Sequence, residues 1–194
     1  MTVPAYLLLL LNFGFIGLLP RIFFRHDGRL TLMWWVTALP LFLIPISVTL
    51  LFIGVVEPVV AYSTTAGHWL QVTFVPFAVS SIALIGLTIG SNRVPLSLWH
   101  QEDDAPGHIV TWGAYRRIRH PFYCAFLLAA AGAVVLAPHP LTLLGFIYSV
   151  FVLNHTAARE EKRLAESEFG AEYQDYMRHT GRFLPSMRRW RDRD

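Results

Sequence analysis

Charged side chains are scarce in this 194-residue sequence. Asp, Glu, Lys and Arg make up 15% of it, where a soluble domain carries about 25%. Hydrophobic residues make up 54%, and the mean hydropathy is +0.45. This balance excludes a disordered chain, a coiled coil and a conventional water-soluble enzyme, and it leaves an integral membrane protein. Cysteine is almost absent: with Cys124 alone, no intramolecular disulfide can form. No strand-like run leads into G-x-G-x-x-G, so the fingerprint of a dinucleotide-binding fold is missing as well. The net charge of +3 could suit nucleic acid, but in a membrane protein basic residues first report topology.

Four stretches lack Asp, Glu, Lys and Arg altogether: Met1–Pro20, Leu30–Val56, Pro58–Asn92 and Pro121–Ala158. A crossing needs roughly 20 apolar residues. The first stretch supplies one span, extendable to Phe24, and the second supplies another. Pro40 and Pro45 are expected to kink the second helix, with neighbouring helices satisfying the freed carbonyls. In the third, Tyr62–His68 is polar and reads as a loop, followed by a span from about Trp69 to Gly90. The fourth is broken by Pro138-His139-Pro140. It reads as a helical hairpin with arms Phe122–Ala137 and Leu141–Ala158, each short for a full crossing.

The expected fold is therefore an all-α integral membrane protein with five transmembrane helices. Residues 1–91 hold three of them, and 92–194 hold the hairpin and a C-terminal cytoplasmic helix. Charge tests this arrangement. Connections on one side, 21–29, 91–120 and 159–194, hold all 16 Lys and Arg; those on the other hold none. The positive-inside rule then places the N-terminus outside and the C-terminus in the cytoplasm of a cell-membrane protein. This accounts for the basic balance, and no nucleic-acid partner is expected. The first apolar segment lacks a basic n-region and a small-residue cleavage site, and reads as an uncleaved span.

Polar chemistry concentrates on either side of the hairpin. Before it stands Gly113-Ala-Tyr115-Arg-Arg-Ile-Arg119-His120-Pro121-Phe122-Tyr123. After it come Glu160-Glu161-Lys-Arg163-Leu164, Phe169-Gly170-x-x-Tyr173-x-x-Tyr176 and Arg182-Phe183-Leu184-Pro185. This ordered set, over about residues 98–185, resembles the isoprenylcysteine carboxyl methyltransferase family and the wider superfamily that includes phospholipid N-methyltransferases. The resemblance implies S-adenosylmethionine as methyl donor and S-adenosylhomocysteine as product, with a cytoplasmic cofactor site built from the segment before the hairpin and the C-terminal helix.

Carried over by position, the resemblance assigns cofactor contacts to His100, Gln101, the strip His108-Ile109-Val110, Tyr115, and His120, Pro121, Phe122 and Tyr123. Glu161 would partner the donor's ammonium. The physical chemistry agrees in kind: a proline-initiated helix N-terminus offers N–H groups to a carboxylate. The plain alternatives are a solvated helix face for Glu161, a topological anchor for Arg119, a helix cap for His120 and an interfacial aromatic for Tyr123. Glu160 lies about 100° round the helix from Glu161, so the two are not expected to face one pocket.

One position departs from the family. The arginine four residues before the matched glutamate, which would hold the substrate carboxylate, is Ala157 here. Arg159 and Arg163 do not share its helical spot. Arg119 and Arg163 are the candidate catalytic residues to supply the charge, and Ala157→Arg is expected to restore it. His100, His108 and His120 share no ligand spacing, so no metal is assigned.

The expected activity is S-adenosylmethionine-dependent methylation of a lipid-like or prenylated substrate by a monomer among membrane lipids. O-methylation of an isoprenylcysteine carboxylate is preferred, because a carboxylate needs no general base and no dedicated base is evident. The alternatives are a phospholipid N-methyltransferase, an NADPH-dependent sterol-type reductase and a non-catalytic membrane scaffold.

Overall fold

A chain that leaves water must satisfy its own backbone N–H and C=O groups, and the apolar runs do so as helices. The computed structural model describes residues 1–17, 32–91 and 109–186. Within these lie α1 (Val3–Gly17), α2 (Leu32–Phe52), α3 (Thr64–Ser91), a 3-10 turn (Gly113–Arg116), α4 (Pro121–Leu136), α5 (Pro140–Ala165) and α6 (Gly170–His179), with no strand among the described residues. The helices α2, α3 and α5 are long and apolar enough to cross a membrane. Only 28–33% of the residues in their apolar windows are buried against protein. Apolar surface exposed to that extent needs lipid as its solvent, which makes this an integral membrane protein. The shorter α1 and α4, of 15 and 16 residues, reach about 22–24 Å at 1.5 Å per residue, against a hydrocarbon core of about 30 Å.

Two helices are longer than the sequence suggests. α3 begins at Thr64 rather than near Trp69, because the Ser63 hydroxyl accepts a hydrogen bond from the Ala66 N–H at 3.2 Å and so caps the first turn. α5 continues past Ala158 to Ala165, since Arg159-Glu160-Glu161-Lys162-Arg163-Leu164-Ala165 is a run of strong helix formers. The apolar part of α5 ends at Ala158, and this charged extension lies beyond it. The hairpin turn falls where the prolines place it. Pro140 opens α5, His139 Nδ1 accepts from the Leu141 N–H at 3.2 Å, and the Thr142 hydroxyl returns the contact to the His139 N–H at 3.3 Å.

Helices pack through small residues and a few buried polar ones. Ala125, Ala129, Ala130 and Ala133 of α4 are fully buried. A Cβ on Gly132 would stand 3.0 Å from Phe77 Cβ, so the α3–α4 contact depends on the absence of a side chain there. Ser81 of α3 lies 2.8 Å from the Ala125 carbonyl of α4 and 2.9 Å from Asn12 Oδ1 of α1, joining three helices at one buried point. Where α2 crosses α5, Gly145 admits Ile44, whose Cγ1 a Cβ would approach to 2.6 Å.

Pro40 shows how the bundle tolerates a proline inside a helix. Proline offers no N–H to the carbonyl four residues earlier, here Val36. The Tyr148 hydroxyl of α5 donates to that carbonyl at 2.8 Å. Tyr148→Phe removes this donor while keeping the ring, and is expected to cost about 0.5–1.5 kcal/mol. Thermal unfolding in detergent should show a Tm drop of a few degrees; an unchanged Tm would show that the freed carbonyl needs no partner.

Candidate active site

The segment before the hairpin and the strip after α6 are held together by backbone. Ile118 and Gly181 form a parallel bridge. The Arg119 N–H donates to the Gly181 carbonyl at 2.8 Å, the His120 N–H to the Arg182 carbonyl at 3.1 Å, and the Gly181 N–H to the Arg117 carbonyl at 3.1 Å. Two glycines set the local shape of these segments. Gly113 has φ +60°, and a Cβ on it would collide with the Ser91 hydroxyl; a Cβ on Gly181 would collide with the Leu184 carbonyl. The turn containing Gly113 is further fixed to α3 by the Ala114 N–H, which donates to Ser91 Oγ at 2.9 Å. Tyr173 and Tyr176 bury one face of α6, and the Tyr176 hydroxyl donates to the Tyr115 carbonyl at 2.6 Å.

Glu161 stands where these segments meet. It is 7% exposed. Arg119 Nε donates to Oε1 at 2.8 Å. Arg182 grips the same carboxylate from the other side, Nη2 to Oε2 at 2.5 Å and Nε to both oxygens at 3.1 and 3.2 Å. Arg119 Nη1 also donates to the Thr180 carbonyl and, at 3.2 Å, to that of Met177, so its guanidinium closes the C-terminal end of α6. Arg182 Nη1 reaches Asn154 Oδ1 on α5 at 2.7 Å. Burial raises the Glu161 pKa, but the contacts from His120, Arg182 and Arg119 outweigh it and hold it well below the usual carboxylate range. Glu161 is therefore ionised at any physiological pH.

Glu160 faces the same place, contrary to the expectation from helical angle. The reason is His120, which projects from the start of α4 between the two carboxylates: Nδ1 lies 3.5 Å from Glu160 Oε2, and Nε2 lies 3.3 Å from Glu161 Oε1. The ring stacks on Tyr123 at 5.3 Å, and the Tyr123 hydroxyl donates to Glu160 Oε1 at 2.6 Å. Burial pushes the Glu160 carboxyl up to about 8, against the opposing Tyr123 hydrogen bond and Arg163 charge. Burial also lowers the His120 pKa, with Glu161 opposing. Among the described residues His120 Nε2 is buried with the Glu161 oxygen at 3.3 Å as an ion-pair contact, but it completes no directed hydrogen bond.

The remaining site candidates divide. Pro121, Phe122 and Tyr123 are buried, the last two within the main apolar cluster. Tyr115 is buried, whereas Ile109 and Val110 are half-buried. His100, Gln101 and His108 lie outside the described residues. Arg163 and Arg159 are exposed, whereas Arg119 lies at the Glu161 carboxylate. Ala157 is fully buried, so an arginine introduced there has no room and would disrupt packing rather than restore a charge. Arg182 and Asn154 were not among the candidate site residues. Arg182 stands in the Arg-Phe-x-Pro motif, which is the signal that could have found it; Asn154 offers none.

The two carboxylates should respond differently to amidation. Glu161→Gln leaves two guanidiniums without their anion and is expected to cost about 3 kcal/mol, read as a large Tm loss. Glu160→Gln resembles the protonated acid and should be nearly neutral below pH 7. The folded value of about 8 lies above the ordinary 4.5, so the folded protein keeps a proton that the unfolded chain has released. That stabilisation is complete below about pH 4.5 and is lost as pH rises to 8. Native Tm should fall across that window, and Glu160→Gln should remove that part of the slope. Equal, small Tm losses from both substitutions would contradict the assignment.

Residues 97–166 match the model of the isoprenylcysteine carboxyl methyltransferase (ICMT) family. Among curated proteins, the chain is 31% identical over 99 residues to a probable protein-S-isoprenylcysteine O-methyltransferase from Oryza sativa subsp. indica, and equally to one from subsp. japonica. Each alignment covers 51% of this chain and 51% of the relative. It is 30% identical over 77 residues to protein-S-isoprenylcysteine O-methyltransferase A of Arabidopsis thaliana, covering 40% of this chain and 39% of that one. The chain thus spans about half the length of the rice relatives it matches. No solved structure matches it. The matched stretch runs from the segment before the hairpin through the Glu160-Glu161 turn of α5, and over this third of its length the chain is similar to the isoprenylcysteine carboxyl methyltransferase family.

Proposed function

We propose that this protein is an integral membrane S-adenosylmethionine-dependent methyltransferase that methylates the carboxylate of an isoprenylcysteine-type substrate. The observation that carries the reading is the convergence of the separate motif pieces on Glu161, within a chain whose residues 97–166 match the family. Residues 92–194 form the catalytic half and 1–91 its membrane anchor. α1 and α4 complete five spans, the N-terminus faces outward, and the site opens to the cytoplasm. The support for this orientation is that all 16 Lys and Arg fall on one side of the five-span arrangement.

The residues suit the cofactor in kind. Among the described residues the buried His120 Nε2 lacks a directed hydrogen-bond partner, and the first turn of α4 presents N–H groups suited to a carboxylate. Tyr115, His120 and the Pro121–Tyr123 turn would hold the cofactor with Glu161, together with the 108–110 strip, His100 and Gln101. When bound, S-adenosylmethionine supplies an electrophilic methyl group on a sulfonium. Glu161 fixes Arg119 and Arg182 and thereby the shape of the site. Neutral His120 and protonated Glu160 add no net charge at neutral pH. An acceptor carboxylate arrives ionised and needs no base, so the work left to the chain is orientation and exclusion of water.

The test is binding of S-adenosylhomocysteine by the detergent-solubilised protein, followed by methyl transfer to N-acetyl-S-farnesylcysteine. Native protein should bind the product-like ligand and transfer the methyl. His120→Ala, which leaves the Arg119–Glu161–Arg182 contacts in place, should weaken cofactor binding about tenfold or more. A native protein with no affinity for either adenosyl compound would refute the reading. For orientation, in a background with Cys124 replaced by Ala, a cysteine at Ser63 should react with an impermeant reagent from outside intact cells, and one at Arg178 only after lysis. The reverse pattern would invert the topology.

A further inference from the structure

Glu161 is one carboxylate shared by two guanidiniums, so the cluster retains a positive charge. Protonated Glu160 does not cancel it at neutral pH. The side chain of Arg119 is 11% exposed, and its Nε and Nη1 donors are engaged by Glu161 and the end of α6. The side chain of Arg182 is 30% exposed. A guanidinium has five N–H groups. In Arg182, Nε and one N–H of Nη2 serve Glu161, and one N–H of Nη1 serves Asn154. Among the described residues, one N–H on each terminal nitrogen meets no acceptor.

Asn154 extends this set of donors. Arginine only donates, so the Asn154 oxygen must face it, at 2.7 Å, and the amide NH2 is turned the other way. Asn154 is exposed. It lies seven residues, two helical turns, before Glu161 and therefore on the same face of α5. Only Ala157 and Ala158 stand between them at helical spacing, so an Arg182 side chain bonded to both crosses the helix over two methyl groups. Ile147, Val150 and Phe151, one to two turns earlier on α5, are exposed and apolar. The rim at the end of this apolar stretch thus presents N–H groups and a surplus positive charge. That is the chemistry of an anion seat at the edge of a lipid-facing surface.

We propose that Arg182 and the Asn154 amide seat the carboxylate headgroup of a single-tailed amphiphile whose tail lies along the exposed apolar face of α5. This inference rests on the methyltransferase reading and deepens it: it assigns recognition of the acceptor's carboxylate to Arg182, which lies outside the matched residues 97–166, and makes Asn154 the residue that positions it. Arg163, exposed on the charged extension, and Arg119, largely enclosed beside Glu161, then have no direct part in headgroup recognition.

The experiment is equilibrium binding of N-acetyl-S-farnesylcysteine, its neutral carboxamide and farnesyl phosphate to the full chain in detergent, with S-adenosylhomocysteine binding measured in parallel. Native protein should bind the carboxylate about tenfold or more tighter than the carboxamide. Asn154→Asp keeps an acceptor for Arg182 but replaces the outward NH2 by a negative charge, and should bring the two ligands close to parity. Arg182→Gln should do the same. S-adenosylhomocysteine affinity should be unchanged in Asn154→Asp, because this side chain lies away from His120 and the start of α4. Were Asn154 merely structural, Asn154→Asp would leave the carboxylate preference intact, and that result overturns the proposal. So does a native protein that binds both farnesyl ligands equally or not at all. Farnesyl phosphate binding lost in the same two variants supports the seat and extends it to phosphate headgroups. If the native protein binds the carboxylate with the expected preference but no adenosyl compound, the seat stands and the methyltransferase reading falls.

Discussion

The ion triad Arg119–Glu161–Arg182 is the interaction on which the architecture at this end of the bundle depends. Each member comes from a different part of the chain: the segment before α4, the charged end of α5 and the strip after α6. A single buried carboxylate between two guanidiniums is stable only because both of its oxygens are used and because Arg119 is further held by the carbonyls at the end of α6. The backbone bridge between Ile118 and Gly181 and the Tyr176–Tyr115 hydrogen bond bring the arginines to their places. The triad in turn fixes the His120 ring, and with it the relation between Glu160, Tyr123 and the first turn of α4.

The membrane bundle below serves this end of the molecule by rigidity. Lipid offers no hydrophobic drive for helices to associate, so close packing and occasional polar contacts must do it. The alanines of α4, Gly132 against Phe77, Gly145 against Ile44, and the Asn12–Ser81–Ala125 contact supply both. Because α4 is wedged against α3 through residues too small to shift, its first turn is held in register with the Gly113–Arg116 turn, which α3 also anchors through Ser91. The hairpin then carries Glu160 and Glu161 back to the same end on a continuous helix. Conformational choice at the site is thereby narrowed before any ligand arrives.

Much of the fold was legible because the membrane imposes simple rules. Apolar runs of sufficient length become helices, and Pro138-His139-Pro140 breaks the last run where it must. What the sequence misjudged were helix ends. Ser63 capped α3 early, and a run of helix-forming charged residues carried α5 past the apolar boundary; both are local effects that hydropathy does not measure. In the site, the motif residues His120, Tyr123, Arg119 and Glu161 were recognisable and do meet. The angle argument that separated Glu160 from Glu161 treated the helix in isolation. It could not include a histidine from another helix whose two nitrogens face opposite ways.

Composition and order by themselves determined that this chain lives in lipid, which segments are helical, and that its polar chemistry gathers on either side of a hairpin. These follow from solvation and chain connectivity, which are properties of the sequence alone. Pairings between residues far apart in sequence belong to the tertiary structure. Asn154 carries no motif, Arg182 lies 21 residues beyond the carboxylate it grips, and the full burial of Ala157 is not visible in its spacing. A charge triad spread over three segments has no periodicity to read, because its geometry is set by how the segments pack and not by the spacing within any one of them.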